Sequence, residues 1–139
     1  MGAQETSMAI FIVEDSAAVR ERLVEMVSEA GGMCVVGEAD NYRDAVAGIL
    51  DTHPDVAILD IKLADERGSG IDVLVEAKRH LPGLRGIVLS NYATPQHVKA
   101  SADAGASYFL DKSTEFDQII GILKTLGEGG QAPAARHRS

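Results

Sequence analysis

The chain has 139 residues, 45% of them apolar and 24% charged, which is typical of one globular domain with a self-sufficient core. Its 21 acidic and 13 basic residues give a formal net charge of -8, and this disfavours direct binding to nucleic acid or anionic lipid, which are also negatively charged. No apolar stretch reaches the roughly 20 residues of a membrane span, and the start MGAQETS lacks the features of a secretory signal. We therefore expect a cytoplasmic protein.

Composition divides the chain into three parts. Residues 1–7 are mostly small and polar, and we expect them to form a flexible leader. Residues 8–126 alternate between apolar runs and helical patterns, and we expect one domain there. Residues 127–139 are rich in Gly, Ala, Pro and Arg, which predicts a disordered tail or the stub of a linker. The single cysteine, Cys34, lies in an apolar run and is predicted to pack in the core.

Five short apolar runs, rich in β-branched residues, have the length of β-strands. They are Met8 to Val13, Met33 to Val36, Val56 to Leu59, Gly86 to Leu89 and Ser107 to Leu110. The segments with helical spacing that follow them are Val19 to Ala30, Tyr42 to Leu50, Ile71 to His80, Pro95 to Ala104 and Phe116 to Leu126, the last with Ser113 or Thr114 as its N-cap. Strands that are apolar at nearly every position are buried on both faces. The pattern therefore predicts an α/β fold, a (βα)5 doubly wound parallel five-stranded sheet with helices on both sides.

Polar residues follow four of the five predicted strands. They are Glu14 and Asp15 after the first, Asp60 after the third, Ser90 after the fourth and Lys112 near the end of the fifth. In an open parallel sheet the ligand site lies outside the carboxyl ends of the strands, where the strand order reverses, so we expect these side chains to converge. Taken singly, each has an ordinary structural interpretation: Asp15 or its neighbour Ser16 as a helix cap, Ser90 as a turn residue, Lys112 as a solvated charge at a strand end.

Three carboxylates close together need a counter-charge, because two like charges about 6 Å apart cost roughly 3 kcal/mol at an effective dielectric constant of about 20. Lys112 can supply this charge, and a compact group of carboxylate oxygens also suits Mg²⁺. A carboxylate is a competent nucleophile toward a phosphoryl group whose negative charge is neutralised. Asp60 is then the candidate acceptor, with the Ser90 hydroxyl donating a hydrogen bond to a phosphoryl oxygen.

At these residues the sequence resembles the receiver domains of response regulators in two-component signalling, over about Met8 to Leu126. The resemblance rests on the acidic pair in IFIVEDS, the strand VAILD, the hydroxyl in IVLSNY and the lysine in GASYFLDKS. From Asp15 through Asp60 and Ser90 to Lys112 the spacings are 45, 30 and 22 residues. Each element alone is a weak signal, but the ordered set is specific.

The resemblance implies a flavodoxin-like receiver fold and a phosphorelay function. Asp60 would accept a phosphoryl group from a phosphohistidine on a sensor histidine kinase or a histidine phosphotransfer protein, giving an aspartyl phosphate. Asp15, Asp60 and the backbone carbonyl of Lys62 would ligate Mg²⁺ directly, while Glu14 would act through water. Lys112 would offset charge on the phosphoryl oxygens.

In the family, a hydroxyl and an aromatic ring form the switch, and Ser90 and Phe109 match those positions. The hydroxyl would move to the phosphoryl group and the ring would turn inward behind it. Phosphorylation would then remodel the face made of the fourth helix, fifth strand and fifth helix, and would change the affinity for an unknown downstream protein or for a second copy of the chain. Turnover catalysis is not expected, beyond self-phosphorylation and slow dephosphorylation.

The sequence departs from the common family pattern at four points. The acidic pair is Glu-Asp rather than Asp-Asp, Ala64 replaces the usual proline after the acceptor, and the matching glycine, Gly70, comes two residues late. Lys62 is long enough to reach a phosphoryl group, although a solvated side chain is the simpler expectation. Phe109 has no hydroxyl, so its outward position could not be held by a side-chain hydrogen bond.

Single features of the sequence disfavour two other functions. A flavin-binding module needs a phosphate cradle after the first strand, where this chain has acidic EDSAAV, and a haloacid-dehalogenase-like phosphatase needs a second Asp where Lys62 stands. Two alternatives stay open: a receiver-like interaction module that is not phosphorylated, and the receiver of a longer DNA-binding regulator.

Overall fold

The computed structural model describes residues 7–64, 67–91 and 93–127, in which five strands alternate with five helices. The strands are β1 (Met8–Val13), β2 (Met33–Ala39), β3 (Val56–Asp60), β4 (Arg85–Ser90) and β5 (Tyr108–Asp111). The helices are α1 (Ala17–Ala30), α2 (Tyr42–Thr52), α3 (Gly70–His80), α4 (Pro95–Asp103) and α5 (Ile119–Gly127), with a 3-10 turn at Phe116–Gln118. The predicted leader and tail, apart from Ser7 and Gly127, lie outside the described residues.

All five strands are parallel and lie in the order β2-β1-β3-β4-β5. The strand order reverses between β1 and β3, and the register pairs Val13 with Leu59 across that junction. The next pairing brings Asp60 beside Leu89 of β4. This is the doubly wound, flavodoxin-like (βα)5 sheet that the sequence predicts.

Strand side chains alternate between two cores, one on each face of the sheet, because successive residues of a strand point to opposite sides. Phe11, Val13, Leu59, Val88 and Phe109 pack with α2 and α3 on one face, whereas Ile10, Ile12, Ile58, Leu89 and Leu110 pack with α1 and α5 on the other. Burying each large aliphatic side chain stabilises the fold by roughly 1.5–3 kcal/mol. The central strands are therefore fixed in register, and so are the residues at their ends.

One prediction about the edge strand β2 is wrong, namely the burial of its cysteine. Cys34 is exposed rather than packed in the core. Only Met33 and Ala39 are buried along this strand, because an edge strand has one neighbour and is only partly covered by the flanking helices. An apolar run in the sequence does not tell an edge strand from a central one.

The predicted N-cap of α5 is also wrong, because neither Ser113 nor Thr114 caps this helix. The chain enters α5 through the 3-10 turn, which begins after Glu115 without a side-chain cap. Ser113 instead donates its hydroxyl and its backbone N–H to Asp111 Oδ1, at 2.6 and 2.9 Å. The hydroxyl is thus used in the turn after β5.

Helices α1 to α4 all begin just beyond the carboxyl ends of strands, and each has a side-chain cap. The capping residues are Ser16, Asn41, Ser69 and Thr94, whose side-chain oxygens accept a hydrogen bond from the backbone N–H three residues later. Such a cap stabilises a helix by about 1 kcal/mol and sets the path of the loop before it. Within the described ranges, no helix is both long and apolar enough to cross a bilayer.

Candidate functional site

The carboxyl ends of β1, β3, β4 and β5 meet at one edge of the sheet. Glu14 directly follows β1, Asp60 and Ser90 are the last residues of β3 and β4, and Lys112 directly follows β5. The register places Ser90 opposite Asp111, and the carbonyl oxygen of Ser90 accepts a hydrogen bond of 2.8 Å from the Lys112 backbone N–H. The parallel topology therefore collects these polar residues as predicted.

Lys112 lies between two buried carboxylates. Its Nζ is 3.0 Å from Glu14 Oε1 and 3.1 Å from Asp60 Oδ2, and the three side chains are 10%, 1% and 7% exposed. Burial acts to lower the pKa of Lys112, but the charge of Asp60, the hydrogen bond to Glu14 and the charge of Glu14 together raise it above its usual value. The ammonium stays charged and partly neutralises the two acids.

Asp60 is poorly accommodated as an anion. Burial and the neighbouring charge of Glu14 raise the pKa of Asp60 from 3.8 to about 7, although the charge and hydrogen bond of Lys112 act in the opposite direction. One ammonium therefore does not compensate two buried carboxylates. Such a strongly shifted acid in a cleft is a candidate functional group.

The acidic residues fit a small divalent cation. Glu14, Asp15 and Asp60 each present a carboxylate oxygen, and these oxygens lie within 4.8 Å of one another. Glu14 Oε1 is buried and, among the described residues, receives no hydrogen bond of good geometry, even though Lys112 Nζ is near. Asp15 is exposed, so water can complete a coordination shell. Oxygen ligands with access to water are the environment that Mg²⁺ prefers.

Ser90 and Phe109, the two residues predicted to form a switch, are both buried, at 2% and 7% exposure. Ser90 ends β4 beside the acidic group, whereas Phe109 belongs to the core cluster on the face of the sheet that α2, α3 and α4 cover. Val88 is the neighbour of Phe109 across the β4–β5 pair. The ring is therefore already turned into the protein in this structure.

The loop after β3 passes close under Asp60. Lys62 is exposed, in line with a solvated side chain, and Ala64 donates its N–H to Asp40 O at 2.8 Å. Gly70 donates its N–H to Ile61 O at 2.9 Å, and a Cβ atom at position 70 would collide with the carbonyl oxygen of Asp60. Gly70 is thus required by its close approach to Asp60, although it comes later in the loop than the family pattern has it.

One charged residue beside the site was not predicted from the sequence. Arg20, in the first turns of α1, donates a hydrogen bond of 2.7 Å from Nη1 to the carbonyl oxygen of Glu14. Its Nε is 3.3 Å from Glu38 Oε1 on β2. A basic residue six positions after an acid is a common pattern, so the sequence alone contained no signal for this contact.

Comparisons with known proteins agree with the fold. The chain matches the family model of the response regulator receiver domain over residues 10–124. It is 32% identical over 120 residues to the DNA-binding transcriptional activator DevR/DosR of Mycobacterium tuberculosis, a match that covers 86% of this chain and 54% of that protein. The chain thus spans about half the length of this curated relative.

Two solved structures illustrate the similarity. The signal receiver domain of the putative response regulator NarL from Mycobacterium tuberculosis superimposes with a TM-score of 0.81 at 26% identity, covering 91% of this chain and all of that one. The isolated receiver domain of RcsB from Salmonella enterica serovar Typhimurium, solved with the phosphomimetic BeF3-, gives 0.83 at 21% identity and covers 96% of this chain and 95% of that chain. At that identity the second match supports the fold alone.

Proposed function

Because the chain belongs to the response regulator receiver family, we propose that it is a phosphoryl-accepting switch in which Asp60 is the acceptor. The supporting observation is the position of Asp60 at the end of β3, where its side chain is 7% exposed and lies 3.1 Å from the Lys112 ammonium. The donor would be a phosphohistidine on a sensor histidine kinase or a histidine phosphotransfer protein. Receiver domains in general are not turnover enzymes, so the proposed event is one transfer per domain rather than a catalytic cycle.

The proposed reaction is an in-line displacement at phosphorus. A carboxylate oxygen of Asp60 attacks, the new O–P bond forms as the P–N bond to the histidine breaks, and the imidazole nitrogen keeps the bonding electron pair. Asp60 must be ionised to attack, and the Lys112 charge favours that form. Lys112 then lies close enough to Asp60 to offset charge on the incoming phosphoryl oxygens.

Asp15, Asp60 and the backbone carbonyl of Lys62 would hold Mg²⁺ directly, with Glu14 acting through water. A bound Mg²⁺ supplies positive charge to the phosphoryl oxygens and to the crowded carboxylates. The geometric support is the group of carboxylate oxygens that converge within 4.8 Å. The same group leaves Asp60 electrostatically strained in the absence of a cation.

The proposed switch couples this site to the far side of β5. Ser90 would donate its hydroxyl to the phosphoryl group, and Phe109 would adjust its packing between the sheet and α4. We expect the surface formed by α4, β5 and α5 to change its affinity for a downstream protein or a second copy of the chain. The DevR/DosR relative is described as a DNA-binding activator, and for this chain a transcriptional output stays a proposal.

Intact-mass spectrometry tests the proposal. The chain is incubated with acetyl phosphate and Mg²⁺, and we expect a mass gain of one phosphoryl group that hydroxylamine removes, since it cleaves acyl phosphates. Asp60→Asn should abolish the gain, whereas the matched change Asp55→Asn, at the opposite end of β3, should preserve it. A wild-type chain that gains no mass would instead favour an interaction module that is not phosphorylated.

A further inference from the structure

Arg20 contacts the backbone of the acidic pair rather than its carboxylates. Its guanidinium donates from Nη1 to the carbonyl oxygen of Glu14 at 2.7 Å, a short and charge-assisted hydrogen bond. The Arg20 side chain is 22% exposed, so water competes little for this contact. The Glu14 carbonyl is thus held from α1, the helix that follows the acidic pair.

The Glu14 carbonyl belongs to the planar peptide unit that joins Glu14 to Asp15. Fixing the orientation of its oxygen fixes the plane, and with it the Cα of Asp15 and the direction in which the Asp15 side chain leaves the backbone. Asp15 is exposed, unlike Glu14, so the backbone is the main determinant of where its carboxylate lies. The contact of Arg20 therefore bears on both acids.

Two other polar groups of Glu14 have hydrogen-bond partners of their own. Its N–H donates to Ala39 O at 2.9 Å, and its Oε2 accepts from the Ser16 N–H at 3.0 Å. On the far side, Arg20 Nε pairs with Glu38, whose side chain is 44% exposed. Such an exposed pair contributes little by itself, but it orients a planar guanidinium that can serve two acceptors at once.

We infer that Arg20 is a positioning residue, which holds the Glu14–Asp15 peptide unit so that the carboxylates of the pair converge with Asp60 on a divalent cation. This inference rests on the proposed function, because it assumes that the acids bind Mg²⁺. A purely electrostatic role predicts the opposite sign. A positive charge beside the acids would repel the cation, so removing Arg20 would then tighten Mg²⁺ binding.

The test is a titration of ¹⁵N-labelled protein with MgCl2, followed by the backbone amide shifts of Glu14 and Asp15. Arg20→Lys keeps the charge but has no planar fork to bridge two acceptors, and Arg20→Ala removes both. We expect each to weaken Mg²⁺ binding roughly 10-fold, as is typical when a residue that orients metal ligands is lost. Glu38→Gln leaves the bond to Glu14 in place and should weaken binding about twofold or less.

Arg22→Ala is the matched control, because it removes one positive charge from the same helix at an exposed position, where Arg22 lies over the Phe116 ring. It should leave Mg²⁺ affinity unchanged. If Arg20→Ala does not fold, Arg20→Lys still decides the question. Wild-type affinity in Arg20→Lys, or tighter binding in Arg20→Ala, would overturn the positioning role.

Hydrogen exchange of the metal-free protein gives a readout that does not depend on the cation. The amides of Asp15 and Ser16 should exchange several-fold faster in Arg20→Lys than in wild type, because a lysine has no planar fork to hold the Glu14 carbonyl and Glu38 together, so that the loop is held less firmly to α1. Unchanged exchange would refute the inference. A wild-type chain with no response to MgCl2 but with the expected exchange difference would refute the proposed cation site and leave the positioning of the loop established.

Discussion

An aspartate lies at each end of β3, and the two side chains differ in their exposure and in the groups that they contact. Asp55, just before the strand, is exposed, and its carboxylate accepts a hydrogen bond of 2.8 Å from the Ala9 N–H. Asp60, the last residue of the strand, is buried and faces Glu14 and Lys112. The Asp55 carboxylate thus links two segments of the backbone, whereas the Asp60 carboxylate is held close to the negative charge of Glu14.

The same contrast extends to the two ends of the whole sheet. The end that contains Asp55 opens into a groove of about 870 Å³, where Arg85 also donates to a backbone oxygen, that of Leu126, at 3.0 Å. The opposite end has its charged side chains packed against one another. In this protein a large cavity therefore does not indicate where the candidate functional residues lie. Buried charge that the fold does not fully compensate is the better indicator.

The largest effect is expected from adding one methyl group at Gly70, with the same change at Gly83, at the other end of the sheet, as its control. Gly70→Ala would place a Cβ against the carbonyl oxygen of Asp60, so α3 or the strand end must move, whereas a Cβ at Gly83 meets nothing within 4 Å. We expect Gly70→Ala to lower the free energy of unfolding by roughly 3 kcal/mol and Gly83→Ala by about 0.5 kcal/mol or less. Urea denaturation measures both, and equal losses would contradict the close approach between Gly70 and Asp60.

Neutralising the buried acid should stabilise the metal-free protein. Because the pKa of Asp60 is raised from 3.8 to about 7, the folded state binds this proton more tightly than the unfolded state does. Its contribution to stability is thus fully present below about pH 4 and is lost as the pH rises through about 7. In EDTA, Asp60→Asn should exceed wild type in free energy of unfolding by a few kcal/mol at pH 8, since each pKa unit corresponds to about 1.4 kcal/mol.

The decisive feature of that comparison is its pH dependence. The advantage of Asp60→Asn should shrink steadily as the pH falls from 7 to 4, as measured by denaturation at several pH values. An advantage that stays constant over this range would mean that the ionisation of Asp60 is not its cause.

If the proposed cation site is correct, Mg²⁺ should stabilise the protein through the end of the sheet that contains Asp60, and not through the end that contains Asp55. A ligand that binds only the native state adds about 1.4 kcal/mol at ten times its Kd, and this gain is expected in wild type and in Asp55→Asn. In Asp15→Asn the gain should shrink, because one carboxylate of the group is lost. Thermal denaturation with and without MgCl2 measures this, and equal gains in Asp15→Asn and wild type would count against the site.

A smaller effect is expected from removing the carboxylate of Asp55. Asp55→Ala removes the acceptor for the Ala9 N–H and should lower the free energy of unfolding by about 1 kcal/mol. Phosphoryl uptake from acetyl phosphate should be unchanged, because the residue lies at the far end of β3. A loss of uptake in this variant, with its fold intact by circular dichroism, would contradict the claim that only the Asp60 end of β3 takes part in phosphoryl transfer.

Strand β1 and strand β2 show how far the sequence could predict the fold. The run Met8–Val13 is apolar throughout, and its predicted bounds are those of the structure. β2 continues three residues beyond the predicted Val36, to Ala39, and this extension could not be foreseen. Gly37 has poor strand propensity, but its missing side chain leaves room for the Phe11 ring, a tertiary contact that local patterns do not contain.

By itself, the sequence determined the order of the elements, the parallel sheet and the set of polar residues at the strand ends, because apolar periodicity is a short-range property of the chain. Only the tertiary structure decided how those residues interact. Lys112 and Glu14 are 98 positions apart in the chain, and the raised pKa of Asp60 depends on how deeply the folded protein buries it. The exposure of Cys34 and the contact of Arg20 with the Glu14 carbonyl were decided in the same way, by packing between distant segments.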